Sequence, residues 1–463
     1  MSQPFRIERD SLGPVEVAAD CLWGAQTQRS LINFAIGEHR FPRPFIKAFA
    51  QVKKAAALSN QKLGKLSPEN AALIAAVCDE IIAGRHAEQF PLSVWQTGSG
   101  TQTNMNLNEV IANRGNELAG NARGSYRPLH PNDHVNMSQS SNDVFPTVMN
   151  VVCAAMLEEL LLSLDDLRQT LAAKIDEFKN ILKSGRTHMM DATPMTLGQE
   201  FSAYLAQLDF AGQQLINARA GVRELAIGGS AVGTGLNTHP QWAETVVAQI
   251  SEQTGLSFMP ASNKFMALAA HDGLVNLHGH LNTLATALFK MANDIRLMNS
   301  GPRCGLAEVR IPANEPGSSI MPGKVNPTQS EALTMVCTRV MGNQTTVSVA
   351  GSQGHFQLNV FKPVIIHSLM ESLQLLTGAM SSFDSRCLQG LQANTTQLEQ
   401  YVKRSLMLVT ALSPLIGYEN AARAAKYADE QSCSLKEAVL ALELMEAAEY
   451  DAHINPRDMI SPG

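Results

Sequence analysis

Residues 147–184 contain neither glycine nor proline, and within them Leu160, Leu164, Leu167, Leu171, Ile175, Phe178 and Leu182 recur at steps of 4, 3, 4, 4, 3 and 4. That mean step lies close to the turn of a straight α-helix, so the segment reads as a nearly uncoiled rod, not one strand of a tight coiled coil. At ~1.5 Å per residue it could run to ~55 Å. A rod of that length with an apolar stripe cannot cover itself. It needs other long helices beside it, and in so slender a bundle self-association is the expected way to bury the remaining apolar surface.

Further helical stretches at about 196–226, 263–298, 328–349 and 356–387, the last interrupted at Pro363, supply the neighbours. Five long helices separated by Gly- or Pro-marked breaks predict a bundle over residues 140–392. The flanks, 1–139 and 393–463, have shorter helices and more turns and read as smaller, mainly helical N- and C-terminal domains. In the first flank Ser67-Pro68-Glu69 opens a helix that closes at Gly84. Strand-like alternation is scarce. The expected class is therefore all-α, with an elongated multi-helix bundle as the central domain. Length agrees, since 463 residues exceed the ~250–300 at which a single core usually stops growing.

Charge and composition narrow the function. Lys and Arg number 36 against 42 Asp and Glu, a net −6, so no nucleic-acid backbone is held by bulk electrostatics. Arg6, Glu8, Arg9 and Asp10 leave no apolar core for a secretory signal. No stretch approaches the ~18 uninterrupted apolar residues of a membrane span, and the most apolar, around Val151, is broken by Glu158 and Glu159. A soluble, cytoplasmic protein is expected. Its seven cysteines form no CxxC pair, which fits buried thiols in a reducing compartment and gives no zinc or iron–sulfur site.

Four connections are richer in small polar residues than punctuation requires: WQTGSGTQTNMN at 95–106, HPNDHVNMSQSSND at 130–143, SGRTHMMD at 184–191, and the 27-residue GPRCGLAEVRIPANEPGSSIMPGKVNP at 301–327. The last exceeds the ~12–15 residues usual for a structureless loop, and such loops are functional or disordered; its apolar residues argue against disorder. Three of the tracts lead into helices, at Thr101, at Asn142 and Asp143, and at Asn326-Pro327, which has the form of an N-cap followed by proline. Helix N-termini attract anions, and clustered hydroxyls and amides with the single Lys324 suit a small carboxylate better than a phosphate chain. The apparent phosphate loop from Gly317 to Lys324 fails, because five residues separate its glycines and Val325 stands where Ser or Thr is needed. GxGxxG, GxSxG and HExxH are absent. His278 and His280 lie two apart on a helix, where side chains diverge, and read as surface or packing residues. His188 follows Gly185-Arg186-Thr187 in a connection; spacing alone leaves both a catalytic and an ordinary loop role open for it.

Taken in order and spacing, TGSGTQTNMN, HPND, SQSSND, GRTH and GSSIMPGKVNP resemble class II fumarase, the iron-independent fumarate hydratase of the aspartase/fumarase superfamily. The resemblance runs from WGAQTQRS at 23–30 to the segment after NTTQLEQ. His188 in GRTH and Gly323 in PGKVNP resemble fumarase, whereas aspartases usually carry Gln and Ala there. It implies an L-aspartase-like fold and reversible anti addition of water to fumarate, giving (S)-malate through a carbanion stabilised as its aci-carboxylate, with no metal and no cofactor. Ser318 is implied as the base for the C3 proton, Lys324 and Asn326 as holders of the charged carboxylate, and His188, paired with Glu331, as the group handling the water; how base duty divides between Ser318 and His188 is open. Implied substrate contacts are Ser99, Gly100, Thr101, Ser140, Ser141, Asn142, Thr187, Ser319, Lys324, Val325 and Asn326. Arg127, His130, Pro131, Asn132 and Asp133 resemble a second dicarboxylate site. The superfamily further implies a homotetramer whose active sites each draw on three chains. Met189-Met190 replaces the usual Leu-Gln, and His134 replaces an acidic residue often found after HPND. An aspartate ammonia-lyase or a silent structural relative are the competing readings.

Overall fold

The computed structural model describes residues 4–462. Helices dominate, and the strands among the described residues pair only two at a time. The rod has the expected 38 residues but runs Ser141–Phe178, six residues nearer the N-terminus than the glycine- and proline-free stretch. Pro146 is accommodated inside it as the sixth residue, just beyond the first turn, where its ring leaves a single intrahelical bond unmade. At the other end Leu182, read as part of the apolar stripe, belongs to the strand Leu182–Thr187. That strand pairs antiparallel with Met190–Thr196, and this ladder takes the backbone groups a longer helix would have used.

The other four long helices are Leu197–Arg223, Asp272–Met298, Thr328–Gly351 and Lys362–Phe383. Two differ from expectation. The 263–298 stretch breaks at Ala270-His271, leaving a short helix Lys264–Ala269 capped by the Asn263 side chain. Pro363 does not interrupt a helix but stands second in one, where its missing N–H costs nothing. The helix Pro68–Ile82 starts as read: Ser67 Oγ accepts the Asn70 N–H.

The described chain divides into two compact units, to each of which the long helices contribute residues. The first comprises 4–161, 213–283 and 338–376. It opens on an antiparallel ribbon, Phe5–Asp10 with Gly13–Ala18, in register from Phe5 opposite Ala18 to Asp10 opposite Gly13. Its core includes Phe41, Phe45, Phe49 and Phe145, whose ring centroids lie 4.4 to 6.1 Å apart; burying each such ring contributes about 1.5–3 kcal/mol. The helix Ala25–Asn33 begins at Gly24, which has no side chain to cap it. Buried Glu109 caps it instead, accepting from the Gly24, Gln26 and Thr27 N–H groups and from Thr27 Oγ1.

The second unit comprises 162–212, 284–337 and 377–462. Phe178, Phe201 and Tyr204 stack edge to face, and Tyr204 donates to Asp294 Oδ2 at 3.0 Å. Near the C-terminus Leu408, Leu412, Ala424, Leu435, Val439 and Tyr450 enclose a separate small core. There Ser434 and Glu437 form a reciprocal capping box.

The helix Ser141–Phe178 is long and apolar enough to span a membrane, with mean hydropathy 1.6 in its best window, but 61% of that window is buried in the protein, as in a core helix. All seven cysteines are unpaired; four are buried, and Cys304 is exposed, contrary to the expectation of buried thiols throughout. His278 is a packing residue, fully buried between Gln344 Oε1 at 2.8 Å and Ser372 Oγ at 2.9 Å.

Candidate active site

Ser318, Lys324 and Asn326 meet in one exposed loop of the second unit. The loop is closed by the Gly317 N–H donating to Lys324 O at 2.9 Å, and a Cβ on Gly317 would lie 2.3 Å from that oxygen, so only glycine fits. Ser318 Oγ accepts two backbone N–H groups, from Ile320 at 3.2 Å and Met321 at 3.0 Å. Two convergent amides are what a serine oxygen needs if it is to carry negative charge. Lys324 Nζ donates to Asn326 Oδ1 at 2.7 Å, and Asn326 Nδ2 donates to Gly317 O at 2.5 Å. Asn326 therefore braces the loop and orients the ammonium, while the carbonyl that starts the following helix is that of Pro327, bonded to the Glu331 N–H. Ser319 and Val325 flank the pair on the surface, and Glu331 is exposed on the first turn of Thr328–Gly351.

His188 stands at the tip of the hairpin in the same unit. Thr187 and Met190 are the last pair of the ladder, so His188 and Met189 alone make the turn, with φ of 55° and 67°. Such a two-residue turn favours Asn-Gly, and two bulky residues in left-handed conformation are costly there. The hairpin base is clamped. Glu308, fully buried, accepts from Lys183 Nζ at 3.0 Å and Arg186 Nη1 at 2.6 Å, and Lys183 also pairs with Glu200. This ties the strand leading to His188 to the segment leading to Ser318. Thr187, His188, Met189 and Met190 are exposed, and no hydrogen bond among the described residues joins His188 to Ser318 or Glu331.

The first unit holds the other two tracts. Ser99 Oγ and Thr101 Oγ1 lie 2.8 Å apart, and Gly100, at φ 76°, is the N-cap of Thr101–Leu118, so Thr101 is the first helical residue and not the cap. A Cβ on Gly98 would fall 1.4 Å from Val360 O, and one on Gly100 2.2 Å from the Phe145 ring. Ser140 caps the rod: its Oγ accepts the Asn142 N–H, and Asp143 Oδ1 accepts the Ser140 N–H. Ser141 Oγ accepts from Asn104 Nδ2 at 2.9 Å. Asp143 Oδ2 further accepts the N–H groups of Gly228 and Ser230, and burial raises its carboxyl to about 6 against those donors. Asn142 Nδ2 donates to Ala231 O at 2.8 Å.

The last contacts bring in a segment that sequence reading passed over, GGSAVGTGLN at 228–237, in which Gly228, Ser230, Gly233, Gly235 and Asn237 all have positive φ. Its four glycines in eight residues were the available signal.

Among the residues resembling a second site, Pro131 is buried while Arg127, Asn132 and Asp133 are exposed. His130 Nδ1 accepts the Asp133 N–H at 3.2 Å, and the His130 N–H donates to His134 Nδ1 at 2.8 Å. Burial pushes the His134 imidazole below its ordinary value.

Comparison with known proteins places the whole chain. Residues 13–342 match the family model described as lyase, and 408–461 match that of the fumarase C C-terminus. The family matched and the helical fold together define a helical lyase. The chain is 55% identical to the class II fumarate hydratase of Bordetella parapertussis over 455 residues, 98% of each chain, and 57% identical to that of Thermosynechococcus vestitus over 452, 97% of each. Among solved structures, a class II fumarase from Schistosoma mansoni aligns with TM-score 0.95 at 44% identity, covering 98% of this chain and 99% of that one. A fumarate lyase:delta crystallin from Brucella melitensis bound to cobalt aligns at 0.94 and 40%, covering 99% and 100%. The chain belongs to the class II fumarate hydratase family.

Proposed function

We infer that the chain is a hydro-lyase interconverting fumarate and (S)-malate. The observation that carries this is the loop in which Ser318 Oγ faces two amides while Lys324 and Asn326 stand as a braced pair. A proton on carbon beside a carboxylate is very weakly acidic, so its removal requires donors already in place for the charge that develops. In malate dehydration Ser318, as alkoxide, takes the C3 proton, and the electron pair moves into the neighbouring carboxylate, giving the aci-carboxylate held by Lys324 and Asn326. Collapse of that intermediate breaks the C2–O bond, and His188, supported by Glu331, delivers a proton to the departing hydroxyl so that it leaves as water. Hydration runs the same steps in reverse. Ser99, Gly100, Thr101, Ser140, Ser141, Asn142, Thr187, Ser319 and Val325 contribute neutral contacts that hold and orient the dianion.

A homotetramer with each site drawn from three chains completes the reading. Large apolar side chains left exposed on the long helices, such as Leu162, Phe210 and Met335, support association. So does the exposed tip bearing His188, which makes no hydrogen bond or ion pair among the described residues. Arg127 with His130–Asp133 is assigned to a second dicarboxylate site. The division at 139/140 and 392/393 and a cytoplasmic location belong to the same proposal.

The test is an assay of purified protein with malate and separately with aspartate, following the ultraviolet absorbance of fumarate. Product from malate alone is expected; product from aspartate alone overturns the reading.

A further inference from the structure

Residues 136–140, between the turn at Pro131–Val135 and the rod, belong to no helix or strand. Ser138 there has φ of 62°, so the tract is not in a conformation its backbone would adopt unaided. Side chains hold it. Asn136 Oδ1 receives three donors: Lys53 Nζ at 3.1 Å, Asn104 Nδ2 at 3.1 Å and Asn108 Nδ2 at 3.2 Å. Gln139 Oε1 receives Lys53 Nζ at 2.9 Å, and the Gln139 amide nitrogen reaches back to the Val135 and Met137 carbonyls. Asn104 then passes from Asn136 to Ser141 Oγ at 2.9 Å.

Lys53 is fully buried in the helix Arg43–Lys62 and binds both tract amides. A buried lysine is expensive and is retained only where its donors are used. Burial pulls its ammonium down to about 7, against the attraction of the buried Asp143 carboxylate. The reaction described above makes no use of it.

We propose that Lys53 is a positioning residue: by gathering Asn136 and Gln139 onto one ammonium it sets the register of the 136–142 tract, and through Asn104 it fixes the Ser141 hydroxyl that meets the substrate carboxylate. This rests on the assignment of Ser141 to the substrate site. Lys53 itself touches no substrate. Its loss is felt in substrate affinity before chemistry, because a displaced hydroxyl weakens binding while Ser318 and Lys324 stay in place.

The experiment compares Lys53→Met, Ser141→Ala and the double variant, each verified as folded by thermal melt, with kcat and KM measured for malate. Lys53→Met is expected to raise KM about tenfold or more with kcat changed several-fold less, and the double variant to show little further increase over the larger single effect, since both remove one interaction. Should Lys53→Met not fold, Asn136→Ala cuts the same contact from the tract side and carries the same expectation. A Lys53→Met enzyme that melts lower but keeps its KM, or KM effects that multiply independently, overturns the proposal and leaves a purely structural lysine. If Ser141→Ala alone leaves KM unchanged, the assignment of Ser141 to the substrate site has failed instead, and the two failures are thereby told apart.

Discussion

Ser318 and His188, the proposed catalytic pair, are held in place in two different ways. Ser318 is prepared electrostatically, by two amides aimed at Oγ, and His188 sterically, on a two-residue turn that neither His nor Met favours. Ser318→Ala is expected to lower kcat by about 10²–10⁴, the range for loss of a positioned acid or base, with KM for malate little changed. His188→Asn is expected to fall in the same range. Asn tolerates the left-handed conformation, so the turn survives and the loss reports chemistry. Steady-state assays with a melting curve for each variant check this; a variant retaining more than a tenth of wild-type turnover counts against its assigned role. The order and spacing of these motifs along the chain were legible, because each motif is local. That Asn326 braces the loop instead of capping a helix was not, since its partner Gly317 lies nine residues away and only the folded loop brings them together.

Elements show where periodicity speaks and where it stops. The 3.6-residue stripe announced the rod with its correct length, yet misplaced both ends, because the ends are decided by competitors: Ser140 and Asp143 at one, a strand partner at the other. Ion pairs between elements were equally silent in the sequence. Glu80, on Pro68–Ile82, binds Arg114 of Thr101–Leu118 at 2.9 Å and His86 at 2.7 Å, and the Arg114 guanidinium first, then His86, holds its carboxyl down at about 2. A depressed carboxylate stabilises the fold fully above its ordinary value near 4.5 and loses that contribution as pH falls toward 2. Glu80→Gln should therefore flatten the decline in melting temperature between about pH 4.5 and 2 relative to wild type. Parallel melting curves down to low pH sink this account.

At the scale of the whole molecule, the Ser318 loop and the hairpin belong to one compact unit and the Ser99 and Ser140 tracts to the other. Exposed apolar residues on the long helices, and the exposed His188, which makes no hydrogen bond among the described residues, motivate a last prediction. Mixing inactive Ser318→Ala and His188→Asn proteins under conditions of subunit exchange should regenerate activity, because some hybrid sites receive an intact copy of each group when different chains supply them. No regained activity after exchange confirmed by mass would mean that each site is built within one chain.

The sequence alone determined the helical class, the length of the rod and the family, because apolar period and local motif are written along the chain. The tertiary structure decided the rest: the Glu109 cap on a distant helix, the Glu308 clamp under His188, the glycine-rich loop on Asp143, and the buried Lys53 beneath the Ser140 tract. Each of these joins residues dozens or more positions apart, and such a contact has no signature until burial forces a polar group to find its partner.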